Sequence, residues 1–120
     1  MKKIKSTNPE LVSLIRSLRK KTRESEAKIW RAVANYLSHS RQRRITVNLS
    51  KLNRYTETGE TVVVPGKVLG AGKINHSLNV AAFTFSQQAR SKILKSKGKY
   101  MSIPELMDKN PKGSGVKIIG

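Results

Sequence analysis

Apolar positions in the first part of the chain recur at helical spacing. Leu11, Leu14, Ile15 and Leu18 fall on one face of a helix. Asn8 stands where a cap is needed, with Pro9 at the first helical position, where its missing N–H costs nothing. An entirely polar run, Arg19-Lys20-Lys21-Thr22-Arg23, follows. Ser25 is the expected cap of a second helix, whose stripe is Ile29, Trp30, Val33 and Leu37, with Ala34 and Tyr36 beside it. Helices this short persist only when packed on something.

After His39 the pattern changes. Val47, Leu49 and the run Val62-Val63-Val64 are apolar or β-branched, broken by turn chemistry at Thr58-Gly59 and Pro65-Gly66. Val68-Leu69 precedes Gly70 and Gly72, which suits a tight, exposed turn. Leu78 to Phe85 is the strongest strand candidate. Leu78, Val80 and Ala82 fall on one side and Ala81, Phe83 and Phe85 on the other, so both faces are expected to be covered. Ser86 is placed to cap a helix reaching about Lys95, with Ala89 and Ile93 inward and the basic residues outward. Ser102-Ile103-Pro104-Glu105 has capping-box spacing for a last short helix through Leu106 and Met107. Asn110 to Gly115 reads as a loop and Val116 to Ile119 as a terminal strand. Short strands alternating with short helices indicate a small α/β or α+β domain. We take the class as α/β: one domain over residues 1–120, built of irregular strand-strand-helix units with N-terminal helices. Neither an internal repeat nor a low-complexity tract interrupts it.

Charge changes the picture more than composition does. Lys and Arg total 25 against 7 acids, a formal net charge of +18, so the compact state repels itself unless a polyanion supplies counter-charge. Nucleic acid is the partner that matches such a balance. The cations are also segregated. Residues 61 to 104 contain no acid yet carry Lys67, Lys73, Arg90, Lys92, Lys95, Lys97 and Lys99. Residues 27 to 56 also lack acids and include Arg41, Arg43, Arg44, Lys51 and Arg54. The apolar share of 37% allows one modest core and leaves little for a large apolar pocket.

Cysteine is absent, which excludes disulfides and thiolate metal sites. Met1-Lys2-Lys3-Ile4-Lys5 has no apolar run behind it and is not read as a signal peptide. No stretch approaches transmembrane length, so a cytoplasmic protein without membrane contact is expected. The sequons Asn48-Leu49-Ser50 and Asn75-His76-Ser77 carry no weight without a secretion signal.

The glycine cluster from Gly66 to Lys73 invites a nucleotide-binding assignment and fails on count. A phosphate loop needs four residues between its first Gly and the Gly-Lys pair, then Ser or Thr. Here Lys67 to Ala71 intervene, and Ile74 follows Lys73. The dinucleotide pattern fails because Asn75 stands where a third Gly belongs. The cluster serves either as turns joining strands or as backbone able to approach RNA phosphates, with Lys67 and Lys73 adding charge. Two isolated histidines, His39 and His76, make no metal site, and His76 has no acid near it in sequence. His76 is either a turn residue with a local hydrogen bond or a direct RNA contact. Its neighbour Ser77 points to the opposite side of an extended chain, so the two form no catalytic dyad. No catalytic residue, cofactor or small-molecule substrate is expected.

Arg41, Arg43 and Arg44 form the sharpest basic cluster, just beyond a helix end. Such a run can simply neutralise a helix C-terminus, but the absence of compensating acids favours phosphate contact. Arg90, Lys92, Lys95, Lys97 and Lys99 stand similarly, running from a helix into the loop at Gly98. Trp30, Phe83 and Phe85 lie on apolar faces and are taken as core; Tyr55 and Tyr100, in polar surroundings, are the candidates for stacking on bases. The RNA-binding set is therefore Arg41, Arg43, Arg44, Lys51, Arg54, Tyr55, Lys67, Lys73, His76, Arg90, Lys92, Lys95, Lys97 and Lys99. A chromatin or general nucleic-acid module, and an enzyme acting on RNA, are the alternatives. The first lacks a DNA-reading motif; the second lacks paired carboxylates, a metal cluster and an activated nucleophile.

Val62-Val63-Val64-Pro65-Gly66-Lys67-Val68-Leu69-Gly70, continuing to His76 and through Val80-Ala81-Ala82-Phe83-Thr84-Phe85-Ser86, resembles one family closely. It is similar to the large-subunit ribosomal protein L-eighteen-e family of archaea and eukaryotes, a distant relative of bacterial ribosomal protein L-fifteen. Val47-Asn48-Leu49-Ser50-Lys51-Leu52-Asn53-Arg54-Tyr55 and Gly113-Ser114-Gly115-Val116-Lys117-Ile118-Ile119 extend the match, which covers the chain from Asn8-Pro9 onward. It is weakest between Ala71 and Asn79. The resemblance implies a structural constituent of the large ribosomal subunit. It would bind and organise ribosomal RNA beside neighbouring ribosomal proteins, without catalysis or a required cofactor. The short length, lacking the long C-terminal part of eukaryotic members, implies an archaeal protein.

Overall fold

A computed structural model describes residues 8–38 and 45–120, and its elements are helices and parallel strands. The chain divides into two compact units. One takes residues up to Arg44 together with Pro104–Ser114; the other takes Ile45–Ile103 and Gly115–Gly120.

In the first unit, α1 (Pro9–Ser25) starts as its sequence dictates. The Asn8 side chain accepts hydrogen bonds from the backbone N–H groups of Glu10 at 3.0 Å and Leu11 at 3.4 Å. Leu11, Leu14, Ile15 and Leu18 are buried, each burial contributing about 1.5–3 kcal/mol. Ser25 does not cap α2 (Lys28–Leu37). It is the last residue of α1, donating its hydroxyl to Lys21 O at 2.6 Å, and Ala27 occupies the cap position without a side-chain bond. The polar run from Arg19 to Arg23 stays helical because an amphipathic helix needs only its inner stripe to be apolar. Glu26, in the left-handed region at φ 57°, turns the chain into α2. Trp30 is fully buried, and its indole N–H donates to Pro111 O at 2.6 Å, so its one polar atom is satisfied.

The second unit is a five-stranded parallel sheet of β1 (Ile45–Asn48), β2 (Thr61–Leu69), β3 (Asn79–Phe85), β4 (Lys99–Ser102) and β5 (Val116–Ile118). The order is β1-β2-β3-β4. The two short strands share one side of β2: β5 pairs with Thr61–Val63 and β1 with Gly66–Leu69. Pro65-Gly66 is not a turn; β2 runs through it. Proline cannot donate to the ladder, and the register against β3 slips between Val64 and Lys67, which accommodates it as a bulge. Gly66 is needed there because a Cβ would collide with the Ile45 carbonyl of β1.

Leu49 is likewise not in a strand. It opens α3 (Leu49–Tyr55), which crosses from β1 to β2, as α4 (Gln87–Lys95) crosses from β3 to β4. Both helices contribute to one apolar cluster on the sheet, with Leu49, Leu52, Ala89 and Ile93 meeting Val47, Val62, Val64, Val68, Val80 and Ala82. Ser86 caps α4 as expected, accepting from Ala89 N at 3.2 Å. Phe85 departs from strict alternation. It pairs with Val68 beyond the register slip and packs against the same cluster as Leu78, Val80 and Ala82. Phe83 and Phe85 are half-buried rather than core. The last helix, α5 (Ile103–Lys109), begins directly after Ser102.

Candidate nucleic-acid interface

The connection between β2 and β3 decides the shape of the site. Thr61, at the start of β2, pairs with Asn79, at the start of β3, so the chain must return along the whole strand between Leu69 and Asn79. Parallel neighbours normally use a crossover of a dozen or more residues, usually helical. Residues 70–78 must instead cover roughly 26 Å, eight steps of about 3.3 Å, with a maximum reach of about 3.3–3.6 Å per residue. The glycine-rich segment is therefore a near-extended crossing, not a tight turn.

It is fastened along its length. Ser50 N donates to Ala71 O at 3.1 Å, and Asn75 N donates to Asn53 Oδ1 at 2.9 Å. Thr56 Oγ1 lies 2.8 Å from His76 Nε2. Ser50, Asn53 and Thr56 are three residues apart, which gives one face of α3 and its C-cap three successive attachment points. Gly59 N donates to Ser77 O at 2.8 Å, and Lys99 N to Leu78 O at 2.8 Å. From the other side, Lys92 Nζ donates to Gly70 O at 2.7 Å and Gly72 O at 2.9 Å. Gly72 has φ 92°, and a Cβ there would lie 2.5 Å from Ser50 Cβ, so only glycine fits.

This explains His76. Its hydrogen bond reaches twenty positions back rather than staying within a turn. The Thr56 hydroxyl gives its single proton to Leu52 O at 2.6 Å, so it must accept from His76, which fixes the Nε2–H tautomer. A ring nitrogen that donates to a hydroxyl cannot deprotonate it, so the pair is a clasp and not a base with a nucleophile. Among the described residues no three metal-ligating side chains come together, and no helix is long and apolar enough to cross a membrane.

The remaining candidates divide by what holds them. Lys92 does not point freely outward: it is half-buried and spends two of its three N–H donors on the crossing. Lys51 is half-buried and donates to Gly120 O at 2.6 Å. Arg54, Lys67, Lys73, Arg90, Lys95, Lys97 and Lys99 are exposed. Lys67 stands between Thr46 and Thr84 in the sheet register, giving an exposed polar row across three strands. Lys73, Lys92 and Lys95 are brought together around a cleft of about 320 Å3, which Ile74, Asn75 and Ser96 help to line. Tyr55 is 54% exposed, with the Arg54 guanidinium 5.5 Å from its ring centre. Arg41, Arg43 and Arg44 lie outside the described residues.

Ion pairs join Lys20 to Glu24 at 3.9 Å and Lys117 to Glu60 at 3.1 Å, and neither uses a candidate cation. Glu60 also accepts from Glu57 N at 2.6 Å. That backbone bond first, then Lys117, holds its carboxyl below the ordinary carboxylate value. Lys117 donates as well to Tyr55 O at 3.1 Å. Sequence reasoning missed Ser50, Asn53, Thr56, Lys117 and Glu60; for the first three the available signal was their polar three-residue spacing.

Comparison with known proteins identifies the family. The family described as ribosomal protein 60S L18 and 50S L18e matches residues 1–120. The large ribosomal subunit protein eL18 of Methanosphaerula palustris is 52% identical over 98% of this chain and 97% of its own. The protein of that name from Methanoregula boonei is 50% identical over 97% and 96%. That of Methanothermobacter thermautotrophicus is 44% identical over 99% and 98%. A match of this identity over nearly the whole of each chain places the protein in the family of ribosomal proteins 60S L18 and 50S L18e.

Proposed function

We propose that this protein is a structural constituent of the large ribosomal subunit, where it binds and organises ribosomal RNA through dispersed basic side chains. It performs no catalysis and works in the cytoplasm beside other large-subunit proteins, residues 1–120 serving as one ribosomal protein domain. The observation that carries the reading is a rigid, glycine-rich crossing flanked by exposed cations that lack acidic partners among the described residues, in a chain of this family. Cations carried on and beside a fastened backbone screen phosphate repulsion where RNA segments meet and hold those segments in place.

In this reading Arg41, Arg43, Arg44, Arg54, Lys67, Lys73, Arg90, Lys95, Lys97 and Lys99 contact phosphate and Tyr55 offers a ring to a base. Lys51, Lys92 and His76 shape the surface first. Lys92 retains one free donor for a phosphate oxygen. Tagged protein should sediment with large subunits through moderate salt, and recovery only in the free pool would refute the assignment. Replacing Arg41, Arg43 and Arg44 by Ala should reduce the slope of log affinity for ribosomal RNA against log salt by about 0.7–0.9 per lost contact. An unchanged slope would show that these side chains face solvent.

A further inference from the structure

One exposed aromatic ring is not among the contacts proposed above. Tyr100 lies on β4, the edge of the sheet, opposite Val80 of the core, and is 38% exposed. Phe85 packs beside it, ring centres 5.5 Å apart and planes tilted by 57°. The Arg90 guanidinium sits over the Tyr100 ring, 5.8 Å from its centre. One turn further along α4, Leu94 is 54% exposed. Ala89 and Ile93 anchor α4 in the core, which fixes the stretch of helix from which Arg90 reaches the ring.

We propose that Tyr100, backed by Phe85 and clamped by Arg90, is a stacking platform for one unpaired base of the bound RNA. The proposal rests on the RNA-binding reading above and adds a contact that charge alone does not supply. Charge selects the occupant. Arg90 lies over the ring, and Lys97 and Lys99 stand just before Tyr100 in a segment, residues 61 to 104, that contains no acid. An apolar protein partner gains nothing from that guanidinium and the acid-free segment around it, whereas a nucleotide presents a flat apolar base and an anionic phosphate together. Lys97, held in the left-handed region at φ 65°, and Lys99 bring positive charge to the strand that carries the ring. Stacking tolerates any base because each has a π face, so the site adds affinity without reading sequence. The partly buried ring, already oriented by Phe85 and Arg90, loses little freedom on binding.

The test uses full-length protein and a transcript of large-subunit ribosomal RNA, with affinity measured across a salt series. Tyr100→Phe should bind within about twofold of wild type. Tyr100→Leu, which fills the space beside Phe85 but has no π face, should bind about 5- to 150-fold more weakly. Its salt slope should not change, because no phosphate contact is lost. Circular dichroism reports whether Tyr100→Leu keeps the fold, and ultraviolet crosslinking of the wild-type complex should attach a nucleotide at Tyr100. Equal affinity of Tyr100→Leu and wild type, with no crosslink there, overturns the platform while leaving RNA binding intact. A defect seen only when other ribosomal proteins are added makes the surface a protein contact and also overturns it. Wild-type protein that ignores the transcript overturns both readings.

Discussion

Replacing Lys92 by Met separates the two roles that a lysine can have in a protein this basic. Met keeps the length and apolar stem of the side chain and removes only the ammonium group. That group makes two hydrogen bonds, 2.7 Å to Gly70 O and 2.9 Å to Gly72 O, at the start of the taut crossing. A bond from a charged donor contributes about 1.5–3 kcal/mol net when well buried. Lys92 is half-buried and water can reach the carbonyls, so the pair together is worth about 1–2 kcal/mol after that discount. For a chain of this size that corresponds to a fall in melting temperature of about 3–10 °C. Lys95→Met, on the exposed side of the same helix, is the control. Removing its charge relieves self-repulsion in a molecule of net charge +18, so its melting temperature should hold or rise. Thermal denaturation of the three proteins in one low-salt buffer reads the difference. Amide exchange in residues 70–78 should accelerate in Lys92→Met alone. If Lys92→Met melts with or above wild type, the ammonium is an RNA ligand and nothing more, and the clamp is refuted.

Three further outcomes follow from the same geometry. Gly72→Ala places a Cβ against Ser50 at a φ that L-residues rarely adopt; it should cost about 1–3 kcal/mol in chemical denaturation, with no change of net charge to complicate it. Thr56→Val, nearly the same in shape, strands the His76 N–H, and should destabilise by about 1–3 kcal/mol; nitrogen chemical shifts of His76 should show the Nε2–H tautomer in wild type and lose that preference in the variant. Glu60 has its folded-state pKa lowered, by Glu57 N–H first and Lys117 next. Its contribution is thus complete above the ordinary value of 4.5 and disappears as pH falls below it through the folded value. The urea midpoints of wild type and Glu60→Gln should differ at neutral pH and converge towards acid, and a constant gap would refute the linkage.

Some of the site was legible beforehand because it depends on local chemistry. The excess of cations, their separation from acids and the exposure of Tyr55 need no tertiary contact to be recognised. What escaped was whatever depends on a neighbour distant in sequence. Leu49 follows the β-branched Val47 in the same apolar pattern, yet it opens a helix because Leu49 and Leu52 can then reach the sheet core together. Lys92 looks like one more solvated cation until the crossing passes within reach of its ammonium group.

Taken alone, the chain determined its amphipathic helices, the caps at Asn8 and Ser86, the β-branched strands and a polyanionic partner, since periodicity, capping and net charge are properties of adjacent residues. Only the tertiary structure decided that the strands lie parallel. Parallel pairing required the return from Leu69 to Asn79, and that return turned the glycines into an extended, fastened crossing. It also divided the basic residues into those that build the surface and those left to face a partner, because hydrogen bonds between Lys92 and Gly70, or Thr56 and His76, join positions about twenty residues apart that only the folded sheet brings together.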